Sequence, residues 1–491
     1  MVGKGTSKLQ ARSKKSSSRL KEDKINQLPD ALLCQIISHL TTKEAVSTSV
    51  LSIRWRSLWL WLPRLELNSR KFQDYNAFLS FGNKFFDSSR VSCIDKLKLT
   101  LGKDARTVVD TSCFTSWIDA LIKRKIQHLH IRYCFKEINY LDTNRIRLYN
   151  CETLVYLRLF GVTVHHAVFV VLPCLKTMYL EKIWFYSEAT LEKMISSCPV
   201  LENLTIVASD NDTKDYRVHS RSLKRLTIKR DRVAYLYSSP GVVIDAPLLR
   251  CLTIDDHESK SFIVNNLETN AKLNVSLYFG LLKYSIESMN YQSMRSSIRD
   301  FLLGISRVGN MTICPFTFKL ICGCSELEPL PQFGNMSKLC VSLYASNVKC
   351  LEKFLRSFPN LKSLILVVNP LNPPSDIISR FYDVSTISIH FVFSLFPQMQ
   401  FDYFMHYEEK NYQISFPSVP ECLLSSLEFV DFKLEIRGHA EEMELVRYFL
   451  ENSAILKKFT LRLANHSTKD EICKGVFKIP TSSPKCELVI L

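Results

Sequence analysis

The stretch LENLTI at residues 201–206 returns as LKRLTI at residues 223–228. Upstream, LVYLRL starts at Leu154 and LKTMYL at Leu175; downstream, a further unit starts at Leu249. Successive starts are 21, 26, 22 and 26 residues apart. A short apolar alternation that recurs at this spacing is the signature of leucine-rich repeats, each a strand plus a return segment. IDKLKL from Ile94 and IQHLHI from Ile126 are looser early members, and LKSLIL from Leu361 and LKKFTL from Leu456 continue the series.

The return segments share one design. ATLEKMISSCPVLENLTI and NVKCLEKFLRSFPNLKSLIL each read as an amphipathic helix, a Cys or Phe before proline, then the strand. Leu191, Met194, Ile195 and Cys198 make one helical stripe; Leu351, Phe354, Leu355 and Phe358 make another. A longer helix is expected through Ile298, Phe301, Leu302 and Ile305 before a strand near VGNMTI. One unit cannot bury its own apolar face, so stability comes from stacking neighbours. The expected fold class is α/β: a curved, mainly parallel sheet lined outside by helices or irregular turns. The third and fifth residues of each strand unit then face outward on its concave side. These are Tyr156 and Arg158, Thr177 and Tyr179, Asn203 and Thr205, Arg225 and Thr227, and Cys251 and Thr253. They are the candidate target-binding residues.

The N-terminal part follows different rules. INQLPDALLCQIISHL spaces Leu32, Leu33, Ile36, Ile37 and Leu40 along one helix, with Pro29 in its first turn. Thr41-x-x-Glu44 is a capping-box pattern that opens a second helix. A third is expected from about Leu51 to Pro63, with Leu51, Trp55, Leu58, Trp59 and Leu62 on one face, Trp61 at its edge, and Arg54 and Arg56 on a wet rim. Three short helices cannot bury that much apolar surface alone, so another surface must cover it.

LPDALLCQIISHLTTKEAVSTSVLSIRWRSLW resembles an F-box, the motif that docks substrate receptors onto the Skp adaptor of cullin-type ubiquitin ligases. The matches are Leu28-Pro29-Asp30, the Leu32/Leu33/Ile36/Leu40 stripe, Lys43-Glu44-Ala45, Val50-Leu51-Ser52, Arg54-Trp55-Arg56 and Leu58-Trp59. Thr41 and Ile53 depart from the plant pattern, which usually has proline and a basic residue there. The C-terminal part is similar to the FBD motif that follows the repeats in many plant F-box proteins. It matches through Val419-Pro420-Glu421-Cys422-Leu423, Ser425-Ser426-Leu427, Glu444-Leu445-Val446, Tyr448, Leu450-Glu451-Asn452 and Leu456-Lys457. The charged stretch HAEEMEL stands where the pattern usually has a Gly-containing turn.

The resemblance implies a non-catalytic substrate receptor. Its partners would be a Skp-family adaptor, through it a cullin and a RING subunit, and an unidentified protein target. The adaptor-binding candidates are Leu28, Pro29, Leu32, Ile36, Leu40, Val50, Leu51, Trp55, Leu58 and Trp59, some of which must pack the module's own core. The domain boundaries expected are a basic tail at 1–22, the F-box at 23–67, the repeat solenoid at 68–410 and the FBD-like region at 411–491.

Composition and motifs narrow the alternatives. Residues 1–22 carry seven Lys/Arg against one Glu, much of the formal charge of +16. That Ser/Lys-rich stretch reads as a disordered tail, either a nuclear-import signal around Lys14-Lys15 or a solvated leader. Nuclear and/or cytoplasmic placement is therefore expected, and reduced thiols from the scattered cysteines. No apolar run reaches membrane-spanning length. P-loop, G-x-G-x-x-G, G-x-S-x-G and H-E-x-x-H patterns are absent from the sequence. His128-x-His130, His165-His166 and Cys322-x-Cys324 lack further ligands at zinc-like spacing, so neither a metal nor a cofactor is expected. Two other readings stay open: a repeat scaffold without a ligase role, and a nucleic-acid-associated protein that uses the basic tail.

Overall fold

A computed structural model describes residues 24–87, 94–102, 112–134, 141–142, 150–164, 170–208, 212, 214–231, 240–280, 291–325, 329–369, 416–436, 438, 440–463 and 469–491. The basic tail, His165, His166, His439 and the proline-rich stretch 370–376 lie outside the described residues.

Among the described residues, fifteen strands form one sheet, running in chain order from Arg64–Asn68 to Glu487–Ile490 apart from two short outer sets. Each neighbouring pair is parallel, with the repeat units in register: Leu157, Met178, Leu204, Leu226 and Leu252 stand side by side. Alternation does the sorting. In Tyr156–Phe160 the side chains of Leu157 and Leu159 are buried while Tyr156, Arg158 and Phe160 are only half-buried, because successive residues of a strand point to opposite faces. One face therefore packs, and one stays open.

The packed face meets the return segments. The expected helices are present as Glu188–Ser196, Tyr291–Gly304 and Cys350–Leu355, with Leu191, Met194, Ile195, Cys198, Leu351, Phe354, Leu355 and Phe358 all buried. In the middle of the solenoid the return segments are strands instead. Tyr216–His219, Gly241–Asp245 and Ser261–Asn265 make a second parallel sheet, and Leu141–Asp142, Val162–Val164 and Trp184–Phe185 a third. A single apolar cluster runs between these layers from Leu65 to Val476.

A charged network is buried where two neighbouring strands of the main sheet, Arg225–Arg230 and Cys251–Asp256, end. Arg230 and Asp256 are both fully buried, 3.8 Å apart. The Arg230 guanidinium donates to the Ser259 hydroxyl at 2.6 Å and the Lys214 carbonyl at 3.0 Å, and lies 4.1 Å over the Tyr216 ring. Asp256 accepts from the backbone N–H groups of Glu258 and Ser259 at 2.9 and 2.8 Å. These bonds offset the cost of burying the charged pair, although Arg230 Nε is left without a hydrogen-bond partner.

Strands outside the expected series follow the same rule with a different lead residue. Lys272–Leu277, Asn310–Ile313 and Lys338–Tyr344 are led by buried Ala271, Val308 and Met336 in place of leucine. The first strand, Arg64–Asn68, begins directly after Pro63 and contains the last residues of the stretch read as F-box. The FBD-like region extends the same sheet through Phe429–Ile436, Lys458–Leu463 and Glu487–Ile490.

The N-terminal module has two α-helices, Asp30–Ile37 and Thr42–Ser47. The expected third helix is corrected: Thr48–Val50, Arg54–Arg56 and Leu58–Trp61 are separate 3-10 turns. Tight i→i+3 turns rotate the side chains away from a 3.6-residue stripe, so Leu51 is exposed instead of sharing the buried face with Trp55 and Leu58.

Candidate functional site

The module closes a small core of its own around Leu33, Ile37, Ala45, Trp55, Leu58 and Leu62. Its first helix carries the adjacent pairs Leu32-Leu33 and Ile36-Ile37, which puts apolar groups on both of its sides. Leu33 and Ile37 turn inward; Leu32 and Ile36 turn outward and are 45% and 44% exposed. Leu40 is also exposed, and the turns that follow present Val50 at 85% and Leu51 at 63%. Five of the expected adaptor-binding side chains therefore stand free in solvent on the described module.

Of the other five, only Pro29 is exposed as well. Trp55 and Leu58 are consumed in the module's core, and Leu28 packs partly against it. Pro29 caps the first helix from the exposed position before it. Trp59 bridges the module and the solenoid, stacking on Phe81 and Phe85 with ring centroids 5.8 and 5.6 Å away. Exposed Ile25, Ile53 and Trp61 add to the apolar surface, and sequence periodicity did not select them for it.

Arg54 is part-exposed, as expected of a rim residue, and is also tied down by specific bonds. Its Nε donates to Asp30 at 2.7 Å, and its terminal nitrogens donate to the carbonyls of Asn26 and Leu28. Trp55 Nε1 donates to the Asn26 side chain at 2.9 Å. The arginine clasps the segment before the first helix to the 3-10 turn through charge-assisted bonds. The capping box is present: Thr41 N–H donates to Glu44 at 2.8 Å, and Glu44 N–H to the Thr41 hydroxyl at 3.4 Å. The Thr41 N–H and the Thr41 hydroxyl, which also donates to the Glu44 carboxylate at 2.9 Å, hold that carboxyl below its ordinary value.

On the solenoid, the ten outward strand residues fall into two register rows on the open face. Tyr156, Thr177, Asn203, Arg225 and Cys251 form the first; Arg158, Tyr179, Thr205, Thr227 and Thr253 form the second. The first row is linked laterally, Asn203 donating to Thr177 at 3.3 Å and Arg225 donating to Asn203 at 3.1 Å. Arg158 pairs with Glu181 at 3.2 Å and lies 4.1 Å over the Tyr179 ring.

His128 and His130 extend these rows toward the module. Burial, with Arg158, Lys98 and Arg132 nearby, pushes His130 down to about 4. Burial, then Lys96, lowers His128 too. A neutral imidazole pair could ligate a metal in principle, but no group of three His, Cys, Asp or Glu side chains converges among the described residues. Cys198 and Cys422 are buried and pushed up to about 12 by desolvation, which suits inert core thiols rather than nucleophiles. Among the described residues no helix is long and apolar enough to cross a membrane.

Comparisons with known proteins align with these elements. A family profile for the F-box domain matches residues 25–67, and one for the FBD matches 416–461. A profile for the leucine-rich repeats of the FBD-associated F-box protein At5g56370 matches 114–276. An Arabidopsis thaliana protein named for its F-box, FBD and LRR repeats, At2g05300, is 49% identical over 479 residues, 98% of this chain and 99% of that protein. Another from the same plant, named as FBD-associated F-box protein At5g53635, is 50% identical over 468 residues, 95% of this chain and 100% of that protein. The Arabidopsis F-box/FBD/LRR-repeat protein At5g22660 is 38% identical over 480 residues, 96% of this chain and 97% of its own. With its module, its repeats and its terminal strands each matched and the whole length shared with these relatives, the chain belongs to the family of F-box/FBD/leucine-rich-repeat proteins.

Proposed function

We propose that this protein is the substrate-recognition subunit of a Skp-cullin-F-box ubiquitin ligase. The N-terminal module docks the Skp adaptor, which connects it to cullin and RING subunits, and the open face of the solenoid holds a protein target. The observation that carries this reading is the split within the module. Its core is already closed by Leu33, Ile37, Trp55 and Leu58, yet Leu32, Ile36, Leu40, Val50 and Leu51 remain exposed. An apolar cluster left outside a finished core marks an interaction surface. The protein needs no reactive group for this role, because positioning a target beside a charged conjugating enzyme supplies the rate gain. Placement in the nucleus or cytoplasm belongs to the same proposal.

Co-expression with a plant Skp adaptor tests it. Wild type is expected to co-purify, and Leu32→Asp/Ile36→Asp to lose about 3 kcal/mol of apolar burial, roughly a hundredfold in affinity. Leu303→Asp, at an exposed leucine on the distant helix Tyr291–Gly304, should leave capture unchanged. A wild-type protein that captures no Skp adaptor, or a double variant that still does, sinks the ligase reading.

A further inference from the structure

The module and the first strands of the sheet border an open cleft of about 650 Å³. One wall is the Ser38–Thr42 turn; the floor is the open face of the first three strands with Tyr156 at its far edge. That volume lies in the usual range for ligand clefts.

The floor is basic. In register, its outward side chains are Arg64, Lys96 and His128, then Glu66, Lys98 and His130. Glu66 is the only carboxylate among them, and Lys98 already holds it at 3.0 Å. Arg64 and Lys96 have no ion-pair partner among the described residues, and both are exposed. Deeper in, His130 Nε2 and the Arg158 Nε behind it are shielded from solvent without a hydrogen-bond partner. Both histidines titrate low, first from burial and then from these neighbouring cations.

We propose that this cleft receives an acidic, extended peptide segment of the target protein. The inference rests on the proposed receptor function and deepens it, by naming the chemistry of what the receptor reads. Strands about 4.8 Å apart carry Arg64, Lys96 and His128 in one row. An extended chain laid across them passes each in turn. The carboxylate of Glu66 on the floor, and Glu181 just beyond it, favour a peptide over a nucleic acid. A peptide can set a neutral residue opposite each of these carboxylates, whereas a phosphodiester chain carries charge at every step.

The test uses the full chain, with and without a Skp adaptor. The probe is a fluorescein-labelled twelve-residue peptide of repeating Asp-Ser-Glu, followed by anisotropy at 50 mM and 300 mM NaCl. Wild type is expected to bind, more weakly at the higher salt. Lys96→Glu and Arg64→Glu should each weaken binding at least tenfold, and Lys96→Gln by an intermediate factor. Lys272→Glu and Lys338→Glu, in the same register row farther along the sheet, should change it less than twofold. No binding by wild type, equal losses at the distant lysines, or tighter binding of a labelled dT12 oligonucleotide overturns the proposal. The two readings separate cleanly. Adaptor capture without peptide binding removes only the acidic cleft, and peptide binding without adaptor capture removes only the ligase role.

Discussion

His130 shows how one residue's chemistry depends on its neighbours. In sequence it is half of a His-x-His pair on a strand. In the folded protein it is half-buried among Arg158, Lys98 and Arg132, and its protonated form is disfavoured down to about pH 4. The unfolded chain, with an ordinary imidazole value near 6.5, binds more protons across that interval, so stability rises with pH there. The neutral form's stabilising contribution is complete above about pH 6.5 and is lost as pH falls toward 4. His130→Gln removes this titration. Thermal unfolding followed from pH 7 to pH 4.5 should therefore show a shallower decline of Tm in the variant than in wild type, and parallel declines would rule the account out. At the same scale, the helical wheel placed Arg54 on the rim, where it is part-exposed, but could show nothing of its bonds. Its true partners, Asn26, Leu28 and Asp30, come from a segment that no wheel includes.

Elements were legible where their apolar period was strong. The return helices at Glu188–Ser196 and Cys350–Leu355 bury the residues that their stripes selected. The stretch after Leu51 was not legible as 3-10 turns, because tryptophan and leucine at i, i+3 and i+4 satisfy an α-helical and a turn-rich reading alike. Strands led by Ala271 and Met336 escaped a search for leucine because what the fold requires is a buried apolar group at that place, while the strand at VGNMTI was expected without one. Turn geometry adds a constraint that the pattern leaves out. Gly161 ends the strand Tyr156–Phe160 with φ of 68°, and a Cβ there would stand 2.3 Å from the Tyr133 carbonyl oxygen. Both the left-handed backbone and the close approach require glycine. Gly161→Ala should cost about 1–3 kcal/mol in urea unfolding; a variant with unchanged midpoint would show that the turn relaxes freely.

At the scale of the molecule, the module and the solenoid are coupled. Trp59 belongs partly to both apolar clusters, and the Thr42 hydroxyl accepts the Glu66 N–H at 2.8 Å across the junction. The module should therefore unfold together with the first repeats. Trp59→Ala removes the stacking on Phe81 and Phe85 and should uncouple them. Amide hydrogen exchange followed by mass spectrometry would then show residues 24–62 exchanging well before the first strands, whereas both exchange together in wild type. Simultaneous exchange in the variant would place the coupling elsewhere.

By itself the sequence determined the repeat spacing, the inward leucines, the return helices and the F-box and FBD-like resemblances. All of these rest on period and composition within a few turns of chain, and local stereochemistry writes such patterns directly into residue order. Tertiary structure alone decided which apolar residues of the module are spent in its core and which are left for a partner. It also joined Arg230 to Asp256 at the ends of neighbouring strands of the main sheet, and gathered the cations Arg64 and Lys96 with His128 into one row beside the module. Those residues are separated by about thirty positions in the chain. They meet because parallel stacking brings successive repeats into register, and the pairing of side chains between repeats is fixed only when the sheet forms.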